Sequence, residues 1–584
     1  MVVRWTGPRD AVRVGLCFGL LWFGCQGAAA QSQDRRETLE ALTREREQLL
    51  RENQNRQAPL WAGASATPWL APVANESPCF DIRHFELIGD PAPGRLDGFG
   101  WLVSDLGTFE NGCLGPQSLA LLVRNLDARL VDRGYVTSSV SLPPQNLTEG
   151  RLRLQLLLGR VARIDLRGGA QAVSPNALAL RVGDVLNLRD IEQTLENLAR
   201  LPSQAAQFQI EPAEGADGSV LAIATAAGVE PGGGNGSGVR RWRVSLGADN
   251  AAAREYGAWQ ANAQAVLDAP LGLSDQVSLN LSQTLSGQDA GRRQTVASVY
   301  YSLPVGRHLL SISANRASHA QPVQGLTTRF SENGFDASLQ ARWQWTAWRS
   351  ASARWAVWGG ATQRHLRNHI DDVELVLQRR KLLTADAGLS AWMRWPAGEL
   401  SLEAEHNRSV HVRPDSDVDL AAPPLARTQR LALTWQQSMV LGAGQRSGQY
   451  ANPAQYEARL SWAAVNDPAS AADLQSLGSR WSVRGFDARA VLTGREQTSL
   501  RQDLRMPAST VGALRLLPTV GLDAGRVAHA ASPAGRTLVG AALSLRWAAA
   551  GWASGELTLA APLHKPAGFA ASSAVIYASF SFSH

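Results

Sequence analysis

Lysine is almost missing: Lys381 and Lys565 are the only two in 584 residues, so arginine carries nearly all the positive charge behind a formal net charge of +6. The arginines are spread along the chain, and without a basic patch a nucleic-acid partner is not expected. Only 18% of residues are charged, against 53 Gly and 19 Trp, a balance unlike that of a soluble enzyme. Beyond residue 30 no apolar run reaches 18 residues, so nothing further along can cross a bilayer as a helix. There is no G-x-S-x-G elbow, no H-E-x-x-H helix and no glycine-rich phosphate loop. Neither an enzyme nor a cofactor is expected.

Cysteine is scarce as well. Arg4, Arg9 and Arg13 precede an apolar run from Val14 to Cys25, and Ala28-Ala29-Ala30 supply the small residues of a cleavage site, which makes 1–30 a signal peptide. A lipoprotein anchored at Cys25 is the competing reading, opposed by the bulky Trp22 and Phe23. Export leaves Cys79 and Cys113 for an oxidising compartment, where pairing is the default and two buried free thiols the other possibility.

What is present falls into segments. Residues 31–57 are rich in Glu, Arg and Gln and read as a helix polar nearly all round, followed by a Pro- and Ala-rich linker over 58–78. Residues 79–160 read as strand, helix, strand, strand: Leu119, Leu122, Val123, Leu126 and Leu130 share one helical face, Pro116 stands at its start and Gly134 at its end. A second unit of the same logic spans 161–228, with Asn187 capping a helix whose face is Leu188, Ile191, Leu195 and Leu198 and which Pro202 stops. A glycine-rich connector covers 229–240.

From 241 to 584 the pattern has period two. Val277, Leu279 and Leu281 alternate with Ser278, Asn280 and Ser282; Leu339, Ala341, Trp343 and Trp345 alternate with Gln340, Arg342 and Gln344. A soluble sandwich also alternates. The export signal, the many tryptophans and the arginines and glutamines of the second face favour a membrane β-barrel with a wet interior, of about 14–18 strands. Within it stand Val483-Arg484-Gly485-Phe486 and, a strand further on, Asp523-Ala524-Gly525. An arginine on an inward loop and an aspartate on a wall strand form a candidate pair across the lumen.

These segments resemble the two-partner secretion transporters, the TpsB branch of the POTRA-barrel outer-membrane assembly superfamily. Cys79-Phe80-x-Ile82 with Gly89, and Gly134-Tyr135-Val136-Thr137-Ser138 with the Leu142-Pro143 to Gly150 turn, resemble a first POTRA domain. Leu186-Asn187-Leu188-Arg189-Asp190 and Asn197-Leu198-x-Arg200-Leu201-Pro202 resemble a second. Val483-Arg484-Gly485-Phe486 resembles the superfamily loop motif, and Asp523-x-Gly525 its partner on a wall strand. The resemblance implies a 16-stranded transmembrane β-barrel in the outer membrane, preceded by two periplasmic α+β POTRA domains and an N-terminal plug helix, with Arg484 and Asp523 as a latch pair.

It implies export of a large secreted polypeptide of the TpsA kind, be it a haemolysin, an adhesin, a contact-dependent toxin or a haem-binding protein. The expected partners are that cargo, outer-membrane lipid and the barrel assembly machinery, with function as a monomer. An outer-membrane assembly factor and a diffusion porin are the alternatives. Two departures from the family pattern are Gly521-Leu522 ahead of the aspartate, where an aromatic is common, and the C-terminal Ser583-His584 in place of a final aromatic. Elsewhere no metal site is expected: His365, His369, Asp371 and Asp372 read as a solvated loop or strand end. Asp415, Asp417 and Asp419 read as an acidic loop, since Leu420 and Ala426 stand where a calcium loop needs glycine and glutamate.

Overall fold

The computed structural model describes residues 69–89, 98–104, 106–110, 112–167, 173–213, 218–225, 240–251, 259–285, 291–324, 328–376, 379–411, 427–441, 453–466, 474–487, 491–528, 536–549 and 552–583. The signal peptide, the plug helix, residues 58–68 of the linker, most of the glycine-rich connector, the acidic stretch 415–426 and His584 lie outside the described residues.

The first module places helix α1 (Pro116–Asp132) against a sheet of β2 (His84–Gly89), β5 (Arg151–Leu157) and β4 (Ser139–Ser141), with β2 parallel to the central β5. The predicted apolar face packs inward: Leu122, Leu126 and Leu130 are fully buried with Leu152, Leu154 and Leu156. A small ladder joins β1 (Phe80–Ile82) to β3 (Gly112–Leu114), and there Cys79 and Cys113 form a disulfide. Gly134 closes α1 at φ +94°, its N–H donating to Val131 O while Tyr135 N–H donates to Leu130 O, a Schellman pattern.

The other end of α1 is capped from outside the module's own sequence. Gly115, the N-cap, offers no side chain, and the Glu76 carboxylate takes its place by accepting from the N–H groups of Gln117 and Ser118 and from Ser118 Oγ. The described part of the predicted linker is therefore docked: Leu70 exchanges two hydrogen bonds with the Asn125 side chain, and Val73 N–H donates to Ser118 Oγ.

The second module repeats the plan, with α2 (Leu188–Ala199) against β6 (Arg160–Arg167), β8 (Gly218–Thr225) and β7 (Ala206–Pro212). Asn187 caps α2 by accepting from Arg189 N–H and also donates to Arg133 O, while Leu188 N–H donates to Gly134 O. The end of one helix and the start of the next are thus joined.

The rest is a closed antiparallel ring of eighteen strands, from Trp242–Asp249 round to Val575–Ser583, whose two ends pair. Val373–Glu374 and Ser509–Val511 are short hairpin extensions bypassed by direct pairing of their neighbours, leaving sixteen strands in the wall. The apolar face points outward, with Leu279, Leu281, Leu339, Trp343 and Leu522 all exposed. A sandwich would bury that face; a closed ring showing it to the outside is built for lipid.

Candidate functional site

The loop between the wall strands Ala454–Asn466 and Glu496–Arg505 folds back inside the ring. It carries a small hairpin of Gln475–Leu477 with Leu492–Gly494, and between these lie Val483 to Phe486. On the strand Leu514–Ala528, Leu522 faces lipid, so Gly521, Asp523 and Gly525 face inward by alternation, and the loop rests on them.

Arg484 and Asp523 meet there. Arg484 Nε and Nη2 donate to the two Asp523 carboxylate oxygens, each at 2.7 Å, and Arg484 N–H donates to Asp523 Oδ2 at 2.9 Å. Asp503 on the neighbouring strand binds the third guanidinium nitrogen, Nη1, at 2.7 Å. The pair is not bathed in water as a wet lumen suggests: the Arg484 and Asp523 side chains are only 4% and 1% exposed. The wall and the loop itself exclude solvent.

Each other motif position has a physical role. Gly485 sits at φ +97°, and a Cβ there would lie 2.5 Å from the Ala561 carbonyl carbon, so only glycine fits. Val483 and Phe486 are buried with Leu477, Leu492, Val527 and Leu538, and Phe569 packs edge-on to Phe486. Gly525 leaves room for Leu477 and Val483, either of which a Cβ would meet within 3 Å. Gly521, a departure from the family pattern, lies directly beneath the guanidinium, where a Cβ would stand 2.2 Å from Arg484 Nη2.

Sequence reasoning did not find Asp503, Gly540 or Tyr577. Gly540 leaves the room that the Arg484 carbonyl occupies, where a Cβ would collide with it, and the Tyr577 hydroxyl accepts from Gly485 N–H and donates to Phe486 O. Inward parity on a wall strand was the only signal they carried. His365 and His369 fall within the strand Ala353–Ile370, four positions and so about 13 Å apart, while Asp371 and Asp372 form the following turn. They do not converge.

A second polar assembly fixes the second module to one mouth of the ring. Asp268, fully buried, takes a bidentate Arg243 at 2.7 and 2.8 Å and the Ser203 hydroxyl at 2.8 Å. Asn176 and Asn197 of the module donate to the carbonyls of Leu273 and Gly306 in short turns and of Pro304 at the end of the strand Arg293–Val305. Glu196 on α2 lies between Arg349 and Arg354, and Arg307 pairs with Asp190. Burial pushes the Asp190 carboxyl above its ordinary range, which Arg307 only partly offsets.

A family model described as haemolysin secretion/activation protein ShlB/FhaC/HecB matches residues 235–547. A ShlB-type POTRA model matches 80–159, and a further POTRA model matches 161–212. The outer membrane transporter CdiB-2 of Burkholderia pseudomallei (strain 1026b) is 25% identical over 517 residues, 85% of each chain. The hemolysin transporter protein ShlB of Serratia marcescens is 26% identical over 508 residues, 84% of this chain and 83% of its own. Among solved structures, CdiB from Escherichia coli has the same fold, with a TM-score of 0.77 over 94% of this chain and 98% of that one at 23% identity. CdiB from Acinetobacter baumannii gives 0.79 over 95% and 99% at 20% identity.

Proposed function

This chain belongs to the haemolysin secretion/activation protein family, ShlB/FhaC/HecB, and we propose on that premise that it exports one dedicated partner polypeptide across the outer membrane through its barrel. It is a transporter of two-partner secretion, not an enzyme, with its POTRA modules in the periplasm. The observation that carries the export reading is the loop folded back inside the ring and held by Arg484, Asp503 and Asp523. A loop held at discrete polar points can be displaced without dismantling the wall.

The cargo enters from the POTRA side in an extended form. The strands β2 and β7 stand at the edges of their three-stranded sheets, and such edges capture a chain by strand addition, main-chain hydrogen bonds giving affinity and side-chain pockets giving selectivity. The transporter works as a monomer and is itself inserted by the barrel assembly machinery. The Arg484–Asp523 pair acts as the latch of the loop.

The test is secretion of the large exported protein encoded beside this gene, in intact cells, in a clean deletion and in Arg484→Ala. Export reading and latch together require that cargo vanish from the medium on deletion and fall in Arg484→Ala, while other barrels keep normal levels. A general fall in outer-membrane proteins on deletion would replace the reading by that of an assembly factor.

A further inference from the structure

The ring has one joint unlike the rest. Among the described residues the first wall strand, Trp242–Asp249, pairs with the last, Val575–Ser583, only from Asp249–Ser579 to Ser245–Ser583. Those five rungs make the shortest ladder in the wall, where neighbouring strands otherwise share at least eight. Backbone hydrogen bonds are what hold a barrel closed, so this seam is the weakest line of the ring.

Asn250, just past the last rung, extends the ladder. Its N–H donates to Ala578 O at 3.1 Å, its Oδ1 accepts from Ala578 N–H at 2.9 Å, and its Nδ2 donates to Ile576 O at 2.7 Å. The same Oδ1 accepts from Arg480 Nη2 at 2.9 Å, an arginine of the inward loop four residues before Arg484. Arg480 also lies over the ring of Tyr577, 4.5 Å from its centre, and the Tyr577 hydroxyl holds the loop backbone at Gly485 and Phe486. The loop therefore has a second anchorage, on the seam, while the Arg480 carbonyl accepts from Arg501 on the strand that carries Asp503.

We propose that Asn250, Arg480 and Tyr577 form a clasp that positions the inward loop for transport by tying it to both strands of the seam, so that seating of the loop and closure of the seam favour one another. Asn250 supplies an acceptor shared by a strand amide and a loop guanidinium, and Tyr577 presents its ring and hydroxyl from the last strand. Coupling of this kind is reciprocal: whatever frees the loop weakens the seam, and whatever parts the seam frees the loop. These are positioning residues, acting through the loop rather than on cargo.

The experiment uses the full chain in outer-membrane vesicles with Leu477→Cys as reporter, a position fully buried when the loop is seated. Cys79 and Cys113 are joined as a disulfide, and Cys17 and Cys25 fall in the segment 1–30 expected to be cleaved on export, so a water-soluble maleimide reads the reporter. Asn250→Ala and Arg480→Ala are each expected to speed labelling about tenfold, as loss of a hydrogen bond to a charged group implies, and the double variant no more than either alone. Asn250→Asp keeps the acceptor for Arg480 but loses the Nδ2 donation to Ile576 O and sets a carboxylate oxygen against that carbonyl, so it falls between the parent and Asn250→Ala. Arg480→Ala, outside both seam strands, also lowers the temperature at which the barrel loses its compact mobility on SDS gels.

Labelling at the parent rate in Arg480→Ala overturns the proposal, as does a double variant whose effects multiply. Acceleration in Asn250→Ala without any in Arg480→Ala overturns it too, reducing Asn250 to a strand residue. Should Asn250→Ala fail to insert, Arg480→Ala carries the test alone, since it leaves the ladder untouched. None of these readouts involves cargo, so failure here is distinct from failure of the export reading.

Discussion

Replacing Arg484 by alanine removes the cation from a site where two carboxylates were arranged around it. With the Arg484 and Asp523 side chains 4% and 1% exposed, the value of about 0–1 kcal/mol for a surface pair does not apply. Removing one partner of a buried pair costs about 3–5 kcal/mol, here charged to the seated state of the loop, since Asp523 regains water once the loop leaves. At about 1.4 kcal/mol per factor of ten, the seating equilibrium falls by about two to four orders of magnitude. Asp523→Ala should be milder, because Asp503 remains on Nη1. Arg484→Lys keeps the charge but cannot fork between two carboxylates and should fall between wild type and alanine. The assay is maleimide labelling of Leu477→Cys, with ionic conductance of single barrels in a planar bilayer as a second measure. Labelling of Arg484→Ala within twofold of the parent would refute the argument from burial, and Arg484→Lys matching wild type would refute the argument from the fork.

Gly485→Ala leaves every charge in place yet should unseat the loop as thoroughly as Arg484→Ala, because the new Cβ meets the backbone of Ala561 from a backbone conformation at φ +97°; unchanged conductance would count against this. Reduction of the Cys79–Cys113 disulfide, which closes a separation of 34 residues, should destabilise the first POTRA module by about 4 kcal/mol on the chain-entropy model, read as faster proteolysis of that module while the barrel stays folded. Burial opposes ionisation of Glu76, but hydrogen bonds from Ser118 and the N–H of Gln117 outweigh it and hold the carboxyl below its ordinary value. Its support for the start of α1 is therefore complete above about pH 4.3, the unfolded value, and disappears as pH falls through the lower folded value. Amide protection at Gln117 and Ser118 should follow that course in the parent and be flat in Glu76→Gln.

Much of the architecture was legible because it rests on periodicity. The face of α1 and the alternation at Leu339, Ala341, Trp343 and Trp345 are written locally, and the caps at Gly134 and Asn187 need only the residue types that stand there. Arg484 and Asp523 were found as lone charges in a patterned region. What stayed hidden depends on which strands end up side by side. Asp503 is one inward charge among many on the wall until the loop lands on it, and Gly521 reads as a departure from a motif until the guanidinium lies over it. Glu76 is a linker residue 40 positions from the helix start it completes. No local pattern encodes such distances.

The same contrast bears on how a transporter can move without falling apart. The wall is held by backbone ladders, thirteen rungs between Arg293–Val305 and its successor and seventeen in the pair after that, and no single side chain governs them. The loop and the second POTRA module are held instead by a few polar nodes, Arg484 with Asp503 and Asp523 inside, Glu196 with Arg349 and Arg354 at the mouth. Apolar burial of Val483 and Phe486 adds about 1.5–3 kcal/mol for each side chain, comparable to the Arg484–Asp523 ion pair rather than far above it. Directional polar links are the ones an incoming chain can replace, because its own main-chain donors and acceptors, or water following it, can satisfy the groups left behind. A lumen lined with polar side chains keeps that exchange open at every step. The closed ladder meanwhile offers an extended chain no free edge, so away from the seam between the first and last strands the wall persists while the loop is displaced.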